Sequence, residues 1–157
     1  MEYTSLHTIQ YYDALSQLIE GAGYYLVDLK VVPLKTEKKV TVIISRKPEN
    51  AEQSAGGIGT QDCVKVTHLI EPELDSFFGP EGYSMEVSSP GMERNIKNAA
   101  EFAFFKGQMA RVWDRDVSDW VSGTIVDSNE TSVTLAVESE NRTFSYEGIA
   151  KAKLLNS

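Results

Sequence analysis

Cysteine, histidine and long apolar runs are scarce in this chain, and each scarcity excludes something. Of 157 residues, one is cysteine and two are histidine. Cys63 has no partner for an intramolecular disulfide, and His7 and His68 are too few to complete a zinc site around it. A disulfide scaffold and a zinc domain are both excluded, and a reducing cytoplasm is the expected setting. No stretch approaches the roughly 20 apolar residues needed to span a bilayer, so no membrane role is expected. The run Met1-Glu2-Tyr3-Thr4-Ser5-Leu6-His7 lacks the basic and apolar regions of a secretory signal. Positive charge is also in deficit: 15 Lys and Arg stand against 23 Asp and Glu, a net charge of −8. That balance argues against a protein that coats nucleic acid, because phosphate neutralisation supplies most of such affinity. It suits a protein that meets a basic partner.

Catalytic constellations are missing as well. Cys63 and His68 sit five positions apart on one expected helix, on different faces, with no Asn or Asp placed to orient the imidazole. A buried cysteine acting as a small apolar residue is the better reading. Gly56-Gly57-Ile58-Gly59 precedes a helix but lacks the Gly-Lys-Ser/Thr ending of a phosphate loop and a complete dinucleotide spacing. Ser88-Ser89-Pro90-Gly91 lacks the Gly-x-Ser-x-Gly form of a nucleophile elbow. No catalytic residue, cofactor, metal ligand or small-molecule substrate is assigned.

The apolar pattern is that of two small domains, residues 1–91 and 92–157. Leu6 to Ile19 has helical spacing and stops at Gly21 and Gly23. Tyr24 to Val32 alternates as a strand with Tyr25, Val27, Leu29 and Val31 on one side, and Lys39 to Arg46 as another with Val40, Val42 and Ile44 inward. After a loop from Lys47 to Gly59, Thr60 is placed to cap a second helix. Its stripe is Cys63, Val66, Leu69 or Ile70, Leu74 and Phe77, with Pro72 expected to kink or end it near Glu71. Tyr83 to Ser88 alternates again. The order helix, strand, strand, helix, strand implies an α+β domain with helices on one face of a sheet.

Beyond Ser89-Pro90-Gly91 the pattern changes. Ala99 to Phe105 reads as a short helix. Met109–Trp113, Trp120–Asp127, Thr131–Val137, Arg142–Glu147 and Ile149–Leu155 read as short strands. Five such strands suggest a small closed all-β barrel, with Gly123 allowing a sharp bend.

Two clusters are candidate contact surfaces. From Lys30 to Lys47 there are six basic residues, Lys30, Lys35, Lys38, Lys39, Arg46 and Lys47, and one acidic, Glu37. Either they are a solvated face or they touch RNA phosphates. Trp113 and Trp120 flank Asp114, Asp116 and Asp119. Core packing is the default for the indoles, and a partner-binding hot spot framed by carboxylates is the sharper alternative. Ser88, Ser89, Pro90, Gly91 and Arg94 form the candidate interdomain linker, with Arg94 placed to pin it to one domain.

Tyr83-Ser84-Met85-Glu86-Val87-Ser88-Ser89-Pro90-Gly91-Met92-Glu93-Arg94 closely resembles the hallmark run of the RimP family, Tyr-x-Leu-Glu-Val-Ser-Ser-Pro-Gly-Leu-Asp-Arg-Pro-Leu. Gly57-Ile58 with Asp62-Cys63, Phe102 to Gly107, Gly123 and Ile149-Ala150-Lys151-Ala152-Lys153-Leu154 resemble further family segments, so the likeness spans the chain. Arg94-Asn95-Ile96 departs from the family's Arg-Pro-Leu, and the Lys47–Gly59 loop is longer than usual. The resemblance implies a K-homology-like α+β domain followed by an Sm-like small barrel. It implies a monomeric, non-enzymatic assembly chaperone for small ribosomal subunit maturation. Its expected partners are the immature small subunit, ribosomal RNA and the basic small-subunit ribosomal protein numbered twelve, the last held through the barrel. The alternative is a free RNA-binding regulator using that barrel, which the acidic balance disfavours.

Overall fold

The computed structural model describes residues 1–47, 58–90 and 93–155, with the Glu93 side chain outside the description. The loop glycines Gly56 and Gly57 and the linker residue Gly91 therefore lie outside the described residues. Two compact units emerge, Leu6–Pro90, and Gly91–Ser157 together with Met1–Ser5. No helix among the described residues is long and apolar enough to cross a membrane.

The unit Leu6–Pro90 contains α1 (Tyr12–Gly21), β1 (Tyr24–Pro33), β2 (Lys38–Arg46), α2 (Thr60–Phe78) and β3 (Tyr83–Ser88). The sheet order is β1-β2-β3, with β1 antiparallel and β3 parallel to β2. Leu15 and Ile19 of α1 and Val66, Ile70 and Leu74 of α2 are fully buried, as are Leu26, Val27, Val40, Val42 and Ile44 of the sheet. Burying side chains of this size stabilises by about 1.5–3 kcal/mol each before chain entropy is counted.

Four expectations for this unit need correction. The first helix is not continuous from Leu6. A 3-10 turn spans Leu6–Thr8, and Tyr11 then takes a left-handed φ of 71° before α1 begins. The Tyr11 ring packs against Phe77 and Phe78, with centroids at 4.7 and 5.1 Å, so aromatic packing accompanies the unusual backbone. In β1, a register shift between Leu26 and Asp28 breaks the alternation. Tyr24 and Leu26 are buried before it and Val27 and Leu29 after it, while Tyr25 is only half-buried. Thr60 does not cap α2. Gly59 holds the cap position, and the Asp62 carboxylate accepts its N–H at 2.8 Å. Pro72 does not end α2, which runs to Phe78. Pro72 and His68 are both exposed, so the carbonyl that loses its helical donor there can be hydrated.

Among the described residues the second unit has six strands, where five were expected. They are β4 (Glu93–Ile96), β5 (Met109–Asp114), β6 (Asp119–Ser128), β7 (Ser132–Val137), β8 (Glu140–Ser145) and β9 (Ile149–Leu155). Ala99–Phe105 is a 3-10 helix, and the fourth expected strand ends early because Tyr146–Gly148 forms a 3-10 turn. The ladder runs β4-β9-β5-β6-β7-β8, antiparallel throughout. Its core is Phe102, Phe105, Ala110, Val112, Ile125, Val133, Leu135, Ile149 and Leu154. Gly123 lies where strands approach closely: a Cβ there would stand 2.6 Å from the Ala136 carbonyl oxygen. Residues 2–4 also belong here. The Ala99 N–H donates to the Glu2 carbonyl (3.0 Å), Thr4 and Asn98 exchange two hydrogen bonds (3.0 and 2.8 Å), and Tyr3 stacks on Tyr146.

Candidate functional site

The β1–β2 hairpin does not present its six cations as one patch. Val40, Val42 and Ile44 face the helices, so Lys39 points to the opposite face. Lys30 shares that open face because, past the register shift, Leu29 points inward. Lys35 is exposed in the connecting turn. Glu86 of β3 pairs with Thr41, one step along from Lys39, and places a carboxylate on the same face. Lys38 lies 4.8 Å over the Phe78 ring on the helix side, and Lys47 5.7 Å from the Tyr25 ring.

Arg46 is committed elsewhere. Its guanidinium donates to Asp62 at 2.8 Å and lies 5.5 Å from the Tyr24 ring centroid, and both ion-pair side chains are largely buried. Asp62 also accepts from the Tyr24 hydroxyl at 2.5 Å and from the Gly59 N–H at 2.8 Å. One carboxylate thus ties β1, β2 and the start of α2 together. Burial pushes the Asp62 carboxyl up, but the Tyr24 hydroxyl, the Gly59 amide and the Arg46 guanidinium outweigh it and hold it below the usual range. Burial and the bond to Asp62 raise the Tyr24 phenol to about 12. Sequence reasoning missed this cluster. The available signal was an Asp three residues after a glycine at the start of an apolar helical stripe.

In the second unit, the tryptophan–aspartate group separates. Trp113 and Trp120 pair across β5 and β6 and are half-buried, with rings T-shaped at 5.6 Å. Asp114 points to the opposite side of the sheet and is only 7% exposed, accepting the Asp116 N–H at 2.9 Å. Asp116 and Asp119 remain exposed at the turn, where Asp119 accepts the Trp120 N–H at 2.8 Å. The indoles are flanked by cations. Lys151 lies 5.6 Å from the Trp113 centroid and 5.3 Å from that of Trp120, and Arg111 lies 4.6 Å from Trp120. The carboxylate frame expected around the indoles is therefore replaced by a basic one. Local sequence hid this, because Arg111 and Lys151 reach the indoles only through strand pairing.

Of the linker residues, Ser88 ends β3, and Ser89 and Pro90 follow it outside any regular element. Arg94 lies in β4 opposite Leu154, and its Nε donates to Glu101 at 2.6 Å; Glu101 is 2% exposed. Cys63 and His68 do not meet in an ion pair or hydrogen bond. Cys63 is half-buried, its thiol pushed up by burial and by the Asp62 charge, and His68 faces Glu71 at 3.4 Å on the exposed side of α2. Among the described residues no group of three or more His, Cys, Asp or Glu side chains could hold a metal ion.

Residues 14–93 match a family model described as the RimP N-terminal domain. The match covers just over half of the chain, including nearly all of the α+β unit and the hallmark run from Tyr83 up to residue 93, one short of Arg94.

Proposed function

The chain belongs to the RimP family of ribosome maturation factors, and from that membership we propose that it is a non-enzymatic assembly factor of the small ribosomal subunit. It works in the cytoplasm as a monomer and binds the immature particle transiently. The observation that carries this reading is the family match across the α+β unit. The exposed Lys30, Lys35 and Lys39 touch ribosomal RNA phosphates, while Lys38, Arg46 and Lys47 shape the hairpin that presents them. The second unit adopts an Sm-like barrel, and the exposed Asp116 and Asp119 at its β5–β6 turn receive the basic ribosomal protein numbered twelve. Two weak contacts acting together suffice for occupancy, and their weakness lets the factor leave a matured site.

Sedimentation of cell extract tests the reading. The protein is expected to co-migrate with immature small subunits and to be absent from translating ribosomes. Equal presence in both fractions, or in neither, sinks it.

A further inference from the structure

The outer face of the second sheet gathers basic residues that the sequence scatters over nearly sixty positions. Ile96, Ala110, Val112, Ala152 and Leu154 are buried, so their neighbours along β4, β5 and β9 face outward. Across that face, Asn95 pairs with Lys153, Lys153 with Arg111, and Arg111 with Ser122. Alongside this row stands the Trp113–Trp120 pair, with Lys151 close to both rings. Lys97, Lys151 and Lys153 also line a groove of about 480 Å³ beside β4 and β9. No carboxylate stands in either row, although the chain carries a net charge of −8.

We propose that this face binds single-stranded RNA, with phosphates on Arg111, Lys151 and Lys153 and bases against the indoles. Charge complementarity requires an anionic partner, and the half-buried indoles choose among anions. Every nucleobase offers a flat ring to stack on an aromatic side chain, whereas an acidic peptide supplies carboxylates and leaves the indoles unused. A duplex keeps its bases stacked inside and presents only backbone and groove edges to such a surface. Arginine adds a planar fork suited to phosphate. The preference for RNA over DNA rests on the ribosomal reading above; the preference for a single strand does not.

Trp113 and Trp120 are the only tryptophans in the chain, so indole fluorescence reports on this face alone. The full chain is titrated at low salt with an unstructured RNA of about ten nucleotides, a length within the site sizes of small β domains. Quenching is expected, with a log–log salt slope of about −2 from three phosphate contacts at about 0.7 each. Lys151→Glu with Lys153→Glu is expected to weaken binding at least about ten-fold and flatten the slope by about 0.7 per lysine. Trp113→Phe keeps a ring and is expected to retain most of the affinity, while Trp113→Ala loses about ten-fold. Absence of quenching overturns the proposal, as does equal affinity for the DNA of the same sequence, for the RNA duplex or for polyglutamate. Sedimentation of the wild-type chain, set beside its RNA titration, separates the two readings. No RNA binding by the wild type with its co-migration intact overturns this inference alone, and RNA binding without co-migration overturns the maturation reading alone.

Discussion

The hairpin of the first unit and the outer sheet face of the second use basic residues in opposite ways. In the hairpin the cations are dense in sequence and disperse on folding. Arg46 is drawn into a buried ion pair, Lys38 and Lys47 lie against aromatic rings, and Lys30 and Lys39 share their face with Glu86. On the second sheet the cations are sparse in sequence, and antiparallel pairing brings Arg111 and Lys151 to two indoles and sets Lys153 opposite Arg111. A charge run in one segment is therefore a poor guide to a charged surface, because alternation sends successive side chains to opposite faces. Cross-strand register, which builds the surface, is invisible to a scan of neighbouring residues.

If the second unit depends on register, disturbing its frame should have the largest effect. Glu101→Ala removes the carboxylate that Arg94 of β4 donates to inside the core. A loss of about 3 kcal/mol is expected in urea unfolding of the full chain, the lower end for breaking a buried pair. A loss under about 1 kcal/mol would mean that β4 is not anchored through this contact. Gly123→Ala drives a Cβ toward the Ala136 carbonyl and should cost about 2 kcal/mol, weakening the β6–β7 pairing next to the strand that carries Trp120. A neutral result would show that β7 can move aside.

The hairpin side of the comparison is sharpened by Asp62. Removing its carboxylate with Asp62→Ala is expected to destabilise by about 2 kcal/mol, through the lost pair with Arg46 and the lost helix cap. The accompanying pH dependence has a definite sign. Because the folded-state pKa is depressed, the stabilisation is fully present above the unfolded value of about 3.9 and is lost as pH falls through the folded one. Urea midpoints measured from neutral pH down to acid should fall more steeply for the wild type than for Asp62→Asn, and parallel curves would refute the assignment. The smallest stability effect is expected for Lys30→Glu with Lys39→Glu, within about 0.5 kcal/mol of wild type because both side chains are exposed. The same pair should weaken binding to immature small subunits and flatten its salt dependence, and unchanged binding removes the hairpin contact.

Much of the α+β unit was legible because its apolar residues keep the period of their element. Val40, Val42 and Ile44 alternate, and Val66, Ile70 and Leu74 repeat at helical spacing. What escaped depends on contacts distant in sequence or on single backbone departures. The shift near Val27 moves Tyr25 off the buried side, Tyr11 interrupts the first helix, and Pro72 survives because its turn faces water. β4 was hidden because Glu93–Ile96 is too short for alternation to be read, and its pairing partner lies near residue 154. At the candidate surfaces the residue types were legible and their company was not. Both indoles were identified, but the carboxylates beside them in sequence turn away, and the cations that replace them come from Arg111 and from another strand.

The anchoring of Glu2–Thr4 to Asn98, Ala99 and Tyr146 bears on how the molecule is made. A ribosome delivers these residues before the α+β unit, and their partners Asn98, Ala99 and Tyr146 only after it. At about 5–20 residues per second the leading strap is idle for on the order of ten seconds. The α+β unit can fold during that wait, whereas the all-β unit is complete only once Glu2–Thr4 dock on segments made after the α+β unit. Slowed elongation should therefore delay completion of the second unit and leave the first unaffected.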